Sequence, residues 1–335
     1  MSGILKTISV ITTFYNAEQF LLNAVNSVWQ QKIPEGVSIE YVIVDDKSQD
    51  NSRQYLENYI KYHQKPLFTW KLVEPENNLG CGGARKFGIE NASGEYFMFL
   101  DADDYYIHTD FIFRAYNDIT SNNADVCEYG VIYNQQDGRQ SNSTAPQTIV
   151  LTNTHDMELA LFRDNLIKFN VWSKIYTKEI VMSYEYSDVR TFEDVRTIPV
   201  WISNCKKVVI LPSPEINYRA ASNSIIRNDW VKTRLGTISA IAELFPRFKD
   251  DYEVLKAMYT RSMIDLEALL NNKSSECEGF DEMSKLNTYM LKYIYPQDWQ
   301  TKVYNIEDDP ELHPEKKEEE RAKYQKTDLN SLPGM

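Results

Sequence analysis

Paired cysteines are missing from this sequence. Cys81, Cys127, Cys205 and Cys277 stand far apart with no CxxC spacing, so neither a zinc site nor a disulfide framework is indicated. Histidine is equally scarce, and His63, His108, His155 and His313 form no metal-ligand spacing. Basic charge is in deficit: 36 Lys and Arg face 49 Asp and Glu, a net charge of −13. That balance argues against nucleic acid and anionic membrane as principal partners. No apolar run is long enough to span a bilayer, so no transmembrane segment is expected. The N-terminus enters a strand pattern at Ile8 without a basic-plus-apolar leader. The expectation is a soluble, cytoplasmic protein that could still be held at a membrane face through a partner.

What is present is enough apolar content for a core, 42%, and an aromatic fraction of 13% with 22 Tyr. Such a fraction suits a surface that handles carbohydrate or nucleotide. Thr7 to Thr13 is a β-branched run of the buried parallel-strand type. Asn16 can cap a helix with apolar positions at Ala17, Phe20, Leu21, Ala24, Val25 and Val28. Ile39 to Val44 is a second strand ending in Asp45 and Asp46, and Ser48 or Asp50 can cap the helix carrying Tyr55, Leu56, Tyr59 and Ile60. Phe68 to Val73 is a third strand. A glycine-rich turn at Gly80-Cys81-Gly82-Gly83, a short helix and the strand Tyr96 to Leu100 follow. Repeated βαβ units predict a mostly parallel central sheet flanked by helices, an α/β fold.

Downstream, helices are expected over Phe111–Ile119 and Asp156–Leu166, and strands over Val126–Tyr133, Val171–Tyr176 and Val208–Leu211. Pro212 and Pro214 should stop the last of these, and Asp137 to Pro146 reads as a loop. From Trp230 onward the pattern is helical. Residues 1–220 therefore read as one α/β domain, about 228–300 as a helical appendage and 301–335 as a charged, flexible tail. The appendage could dock an acceptor or form a homodimer through its helices.

The chemistry concentrates where the fourth strand ends in Asp101, Asp103 and Asp104. Carboxylates at the carboxyl end of a buried strand sit where open α/β sheets bind ligands. Three acids within four residues repel one another, and a hard divalent cation with phosphate oxygens is their natural partner. This predicts a metal-bridged diphosphate at Asp101-Ala102-Asp103. The glycine turn is not a dinucleotide fingerprint, because Arg85 stands where GxGxxG needs Gly or Ala.

The segments VITTFYN at 10–16, DDKSQDNS at 45–52, NLGCGGARKFGIENASGEYFMFLDADD at 78–104 and FEDV at 192–195 together resemble the inverting family 2 glycosyltransferases. The resemblance covers about the first two-thirds of the chain and implies the GT-A fold, Rossmann-like and with a C-terminal helical extension here. It implies a nucleotide-sugar half over about 1–104 and an acceptor half over about 105–220. Thr13, Tyr15, Asp45, Asp46, Gly80, Arg85 and Arg219 are then nucleotide-sugar contacts, together with Asp101, Ala102 and Asp103 of the DXD motif. Asp103 and Asp101 would hold Mn²⁺ or Mg²⁺. Asp194 would be the general base, with Glu193 beside it in the ED motif. Trp172 and Lys174, a WxK segment, would serve the acceptor or sugar, and Tyr218-Arg219 with Ser222 and Ser224 resembles a loop closing over the diphosphate. Lys86 and Phe87 depart from the usual ARNxG, which leaves the sugar contacts open.

The implied activity is transfer of a sugar from a nucleotide-diphospho-sugar, UDP-linked for preference, to a glycan or a lipid- or protein-linked saccharide. Bland readings compete: Tyr15 could be a half-buried turn residue and Trp172 a buried core tryptophan. Asp45 and Asp46 could merely close Asx turns, Arg85 could be a surface helix arginine, and Thr191 could cap a helix that Pro199 then kinks. A sugar-phosphate nucleotidyltransferase and a catalytically silent nucleotide-sugar-binding protein are the alternative functions. Against the former, Phe14-Tyr15-Asn16 follows the first strand where that class carries a glycine-rich basic loop.

Overall fold

A computed structural model describes residues 5–134, 138–219, 230–271 and 280–294 of the chain. The chain divides into two compact units, residues 1–224 and 225–335. The 301–335 tail and the pair Ser222 and Ser224 lie outside the described residues.

In the first unit, strand β1 (Lys6–Phe14) is the predicted β-branched run, with Ile8, Val10 and Ile11 buried. It pairs in parallel with β2 (Val37–Asp45) on one side and β4 (Tyr96–Phe99) on the other, and β2 pairs in parallel with β3 (Phe68–Val73). Parallel neighbours require crossovers. These are supplied by α1 (Leu21–Trp29), α2 (Ser52–Tyr62) and α3 (Gly80–Glu90). Because β1 lies between β2 and β4, the winding direction reverses at β1/β4, and the crevice beyond their carboxyl ends is the expected ligand position.

Past β4 the sheet becomes mixed. Antiparallel β9 (Lys174–Thr177) is followed by β6 (Val126–Asn134), then β10 (Val208–Arg219) parallel to β6, and β5 (Tyr105–Tyr106) antiparallel to β10. Helices α4 (Phe111–Ser121), α5 (Thr154–Phe162), α6 (Lys178–Ser183) and α7 (Glu193–Ser203) complete this unit among the described residues. A polar pin crosses the parallel half. Buried Glu40 on β2 accepts from Ser9 Oγ at 2.6 Å and from Ser93 N at 2.8 Å, tying the turn before β4 to β1 and β2.

Several local expectations are corrected. Pro212 and Pro214 do not end β10, which runs on to Arg219. The register with β6 shifts on either side of Pro214, and such a bulge lets proline sit in a strand without breaking a regular ladder. The polar stretch 137–146 contains a strand, β7 (Gln140–Ser143), paired with the far end of β6, and β8 (Ile149–Leu151) follows it, antiparallel to β10. The β7 side chains are largely exposed, so backbone pairing forms that strand without an apolar pattern to announce it. The stretch at 171–176 is shorter as a strand than its pattern predicted and starts only at Lys174. Asn16 does not cap α1: it takes φ +50°, and its Oδ1 accepts from Gln49 N at 2.7 Å. The glycine cluster is the first turn of α3 rather than a turn before it. Pro199 sits inside α7, which continues through it to Ser203.

The second unit contains α8 (Trp230–Leu244), a short 3₁₀ turn at Phe245–Arg247, α9 (Tyr252–Asn271) and α10 (Phe280–Ile294). Ile238, Ile241, Ala242, Phe245, Leu255, Met258, Met290 and Leu291 are buried as these helices pack on one another. No helix among the described residues is long and apolar enough to cross a membrane.

The glycines of α3 are explained by what crosses them. A Cβ at Gly82 would lie 2.2 Å from Val189 O and 2.5 Å from Ser187 O. The segment before α7 therefore rests backbone-to-backbone on the start of α3. Gly82→Ala should force that segment away and cost about 1–3 kcal/mol. Urea unfolding of the variant measures this, and an unchanged midpoint would contradict the close approach.

Candidate active site

Four strand ends and two helix starts converge beyond β1 and β4. At the end of β1, Thr13 is half-buried and Tyr15 is 49% exposed. At the end of β2, Asp45 accepts from Ser48 N at 2.8 Å and faces Arg53 Nη1 at 3.3 Å. Asp46 accepts from Leu79 N at 2.7 Å and Gly80 N at 2.8 Å, so its two oxygens cap the start of α3. The doublet thus does local structural work of the Asx-turn and capping kind. Burial holds Asp46 above the ordinary carboxylate range, against the pull of those two amides.

Arg85 is not a surface arginine. It is 6% exposed, and its guanidinium bonds Asp101 Oδ1 at 2.5 Å through Nη2 and Glu193 Oε1 through Nη1. This one side chain joins the DXD motif after β4 to the ED motif that opens α7. Phe192, at φ +60° and ψ 27°, turns the chain into α7, and Thr191 is not its cap. The helix then presents Glu193 and Asp194 in its first turn, where carboxylates complement the positive helix end.

Asp101, Asp103 and Asp104 each offer an oxygen, all within 4.8 Å of one another. Asp104 is 1% exposed. Its Oδ1 accepts from Arg219 N at 2.8 Å, while its Oδ2 is buried with no hydrogen-bond partner. Burial, then the Asp101 charge, pushes Asp103 up to about 6. Burial, then Asp103 and Asp101, holds Asp104 well above the carboxylate range. An orphaned buried oxygen and two acids reluctant to ionise fit a hard divalent cation, which would supply the missing positive charge. Ala102, between them, is buried. Arg219 reaches this corner because β10 passes its prolines, and its guanidinium lies over Phe20 at 4.8 Å and Tyr105 at 5.9 Å.

Asp194 is half-buried, and its Oδ1 accepts from Val195 N at 2.8 Å. Burial first, and Glu193 next, push it up to about 7. A carboxylate poised there can take a proton near neutral pH. Trp172 is 7% exposed and stacks on Tyr218 at 5.6 Å. Lys174 is wholly buried: its ammonium donates to Lys168 O and Asn170 O and faces Glu128 Oε2 at 3.6 Å, bracing the loop before β9. Thus Asp101, Asp103, Asp104, Arg85, Glu193 and Arg219 form one linked group. Thr13 lies at the end of β1 and Tyr15 just after it, and Lys174 is part of the support.

Two residues escaped the sequence reading. Arg190 donates to Asn78 Oδ1 at 3.0 Å and Asn78 O at 3.1 Å, with its stem over Gly80. Tyr186 is buried, its ring stacked on Phe99 at 6.4 Å and tilted against Trp201 at 5.6 Å. Neither stands in a motif; only the unusual glycine density of α3 hinted that another segment crosses it.

The sequence model for glycosyl transferase family 2 matches residues 9–187. The glycosyltransferase GlyG of Streptococcus pneumoniae is 26% identical over 233 residues, 67% of this chain and 74% of GlyG. Among solved structures, residues 1–349 of TarS from S. aureus, in complex with UDP-GlcNAc, superpose with a TM-score of 0.66 at 18% identity, covering 95% of this chain and 88% of that one. The mannosyltransferase PcManGT of Pyrobaculum calidifontis, in complex with GDP-Man and Mn²⁺, superposes with a TM-score of 0.53 at 14% identity, covering 87% of each chain. The strand order, the acid cluster at the β1/β4 switch point and a family match over more than half of the chain lead to one statement: this protein belongs to glycosyl transferase family 2, and it is a glycosyltransferase of GT-A fold.

Proposed function

We propose that the enzyme moves a sugar from a UDP-linked donor to a hydroxyl of a saccharide acceptor, with inversion at the anomeric carbon. The observation that carries this is the Arg85 bridge, which holds a cation-ready acid cluster and the Glu193-Asp194 pair in one network. The UDP-GlcNAc bound by TarS supports the choice of uridine, and the Mn²⁺ bound by PcManGT supports the choice of cation.

Donor binding falls to the half at about 1–104. Tyr15 offers its exposed ring to the base, Thr13 lies beside it, and Asp45 and Asp46 shape the loop under the ribose. Asp103, with Asp101, would hold Mg²⁺ or Mn²⁺. A cation bound there offsets negative charge growing on the departing diphosphate. Arg219, at the rim of the same corner, supports the phosphates. In the acceptor half, about 105–220, Asp194 takes the proton from the acceptor hydroxyl as its oxygen bonds the anomeric carbon. The bond to the diphosphate breaks on the opposite face. Trp172, on its Tyr218 support, borders the acceptor. Sugar-phosphate nucleotidyl transfer has no such base to use, and the first strand lacks its basic glycine loop.

Asp103→Ala should abolish cation-dependent donor turnover and the Mn²⁺-dependent rise in melting temperature that UDP produces. Retention of both would remove the cation from this site. Asp194→Asn should leave UDP affinity intact while lowering transfer by about 10²–10⁴-fold; wild-type turnover in that variant would sink the base assignment.

The pH dependence has a definite sign. Asp194 works ionised, and its value near 7 means the protonated form gains as pH falls through 7. Transfer rate should then fall on the acid side, approaching tenfold per unit below about pH 6. A profile of kcat/KM that stays flat from pH 8 to 5 would contradict the assignment.

A further inference from the structure

The loops that follow β1 and β2 each carry a non-glycine residue in the left-handed region, Asn16 at φ +50° and Lys47 at φ +69°. Such conformations cost energy, persist only where the surroundings over-determine them, and gather at ligand sites. Asparagine accepts this region more readily than most residues, because its short side chain can bond nearby backbone. At Asn16 those bonds go to the neighbouring loop.

They run in both directions. Asn16 N donates to Ser48 Oγ at 3.0 Å, and Gln49 N donates to Asn16 Oδ1 at 2.7 Å. Ser48 is in turn tied to the strand end, its N donating to Asp45 Oδ1 at 2.8 Å. The strand register sets Phe14 opposite Asp45, and Asp46 N donates to Phe14 O at 2.9 Å. Tyr15 therefore lies between the last rung of the ladder and the Asn16 bonds. Its backbone is fixed on both sides, while its side chain stays 49% exposed.

The loops do not need Asn16 to stay together. Ala17 N donates to Ser52 Oγ at 2.9 Å and Glu18 N to Asp50 Oδ2 at 3.1 Å, so they remain joined beyond it. Both Asn16 bonds are exposed to water, where a hydrogen bond adds little net stability. The left-handed residue thus contributes little to holding the fold and much to the direction of the chain at Tyr15.

We propose that Asn16 is a positioning residue for the donor: with Ser48 it closes a clasp that holds Tyr15 and the Asp45 end of β2 at fixed spacing, so that the slot for the nucleobase is built before the donor arrives. The proposal rests on the reading of Tyr15 as the base contact. A ring whose backbone is already fixed loses less freedom when the base binds, and the gain is in donor affinity. The clasp acts on the base end of the donor alone. The diphosphate end falls to the acids after β4, and β4 lies on the other side of β1 from β2.

The test is isothermal titration of the full chain with UDP and with inorganic pyrophosphate, each with Mn²⁺, in wild type, Asn16→Ala, Ser48→Ala and Ser48→Thr. The two alanine variants should each raise the UDP dissociation constant about tenfold and leave that of pyrophosphate unchanged. Ser48→Thr keeps the hydroxyl that Asn16 N needs and should bind UDP as wild type does. Wild-type UDP affinity in both alanine variants overturns the proposal. An equal loss for UDP and pyrophosphate overturns it as well, because a general disturbance of the fold would weaken both. Tyr15→Ala separates the two readings. If that variant binds UDP as wild type does, the base contact itself fails; if it loses affinity while both alanine variants keep theirs, only the clasp fails.

Discussion

The buried guanidinium of Arg85, held between Asp101 and Glu193, is the interaction on which the rest of the site depends. Its partners belong to elements that share no local sequence: Glu193 lies 108 residues away and opens α7, while Asp101 ends β4. A charge so deeply buried is tolerable only while its partners stay in place, and removing one partner of such a pair costs about 3–5 kcal/mol. The bridge therefore fixes the separation of the two motifs. It also consumes one carboxylate from each, leaving Asp103 and Asp104 on one side and Asp194 on the other with charge still to be answered.

Those remaining acids are the electrostatic tension in the fold. Asp103, Asp104 and Asp194 all sit above the ordinary carboxylate range, each chiefly because burial disfavours its charged form. A protein selected only for stability would replace them or pair them. Here Asp104 keeps a buried oxygen without a partner, and Asp194 is held near neutrality. Perturbed groups clustered in a crevice at a topological switch point are where ligand binding and proton transfer are expected.

Backbone proximity does the positioning. The segment 187–190 can rest on α3 only because Gly80 and Gly82 lack side chains. That contact brings Arg190 over the start of α3. On the far side, β10 bulges past two prolines and delivers the amide of Arg219 to Asp104. Both devices place groups to within the few tenths of an ångström that hydrogen bonds require, using backbone atoms that no motif records.

The sequence alone determined the parallel half of the sheet, because β-branched and aromatic runs ending in acids carry a strong local signal at β1, β2 and β4. It likewise marked Asp101, Asp103 and Asp194, since acids at strand ends and helix starts stand out against an apolar background. Tertiary structure decided what those residues do to one another. Arg85 is buried rather than on the surface because Asp101 and Glu193 converge on it. Asp46 caps α3 because the amides of Leu79 and Gly80 arrive from a distant segment, and Lys174 is buried because Glu128 of β6 faces it while its ammonium braces the loop before its own strand. β7 and the extension of β10 exist through pairing with β6, which supplies backbone hydrogen bonds regardless of side-chain pattern. Local periodicity reports burial along one element, whereas charge pairing, close backbone approach and an orphaned carboxylate oxygen depend on which elements meet.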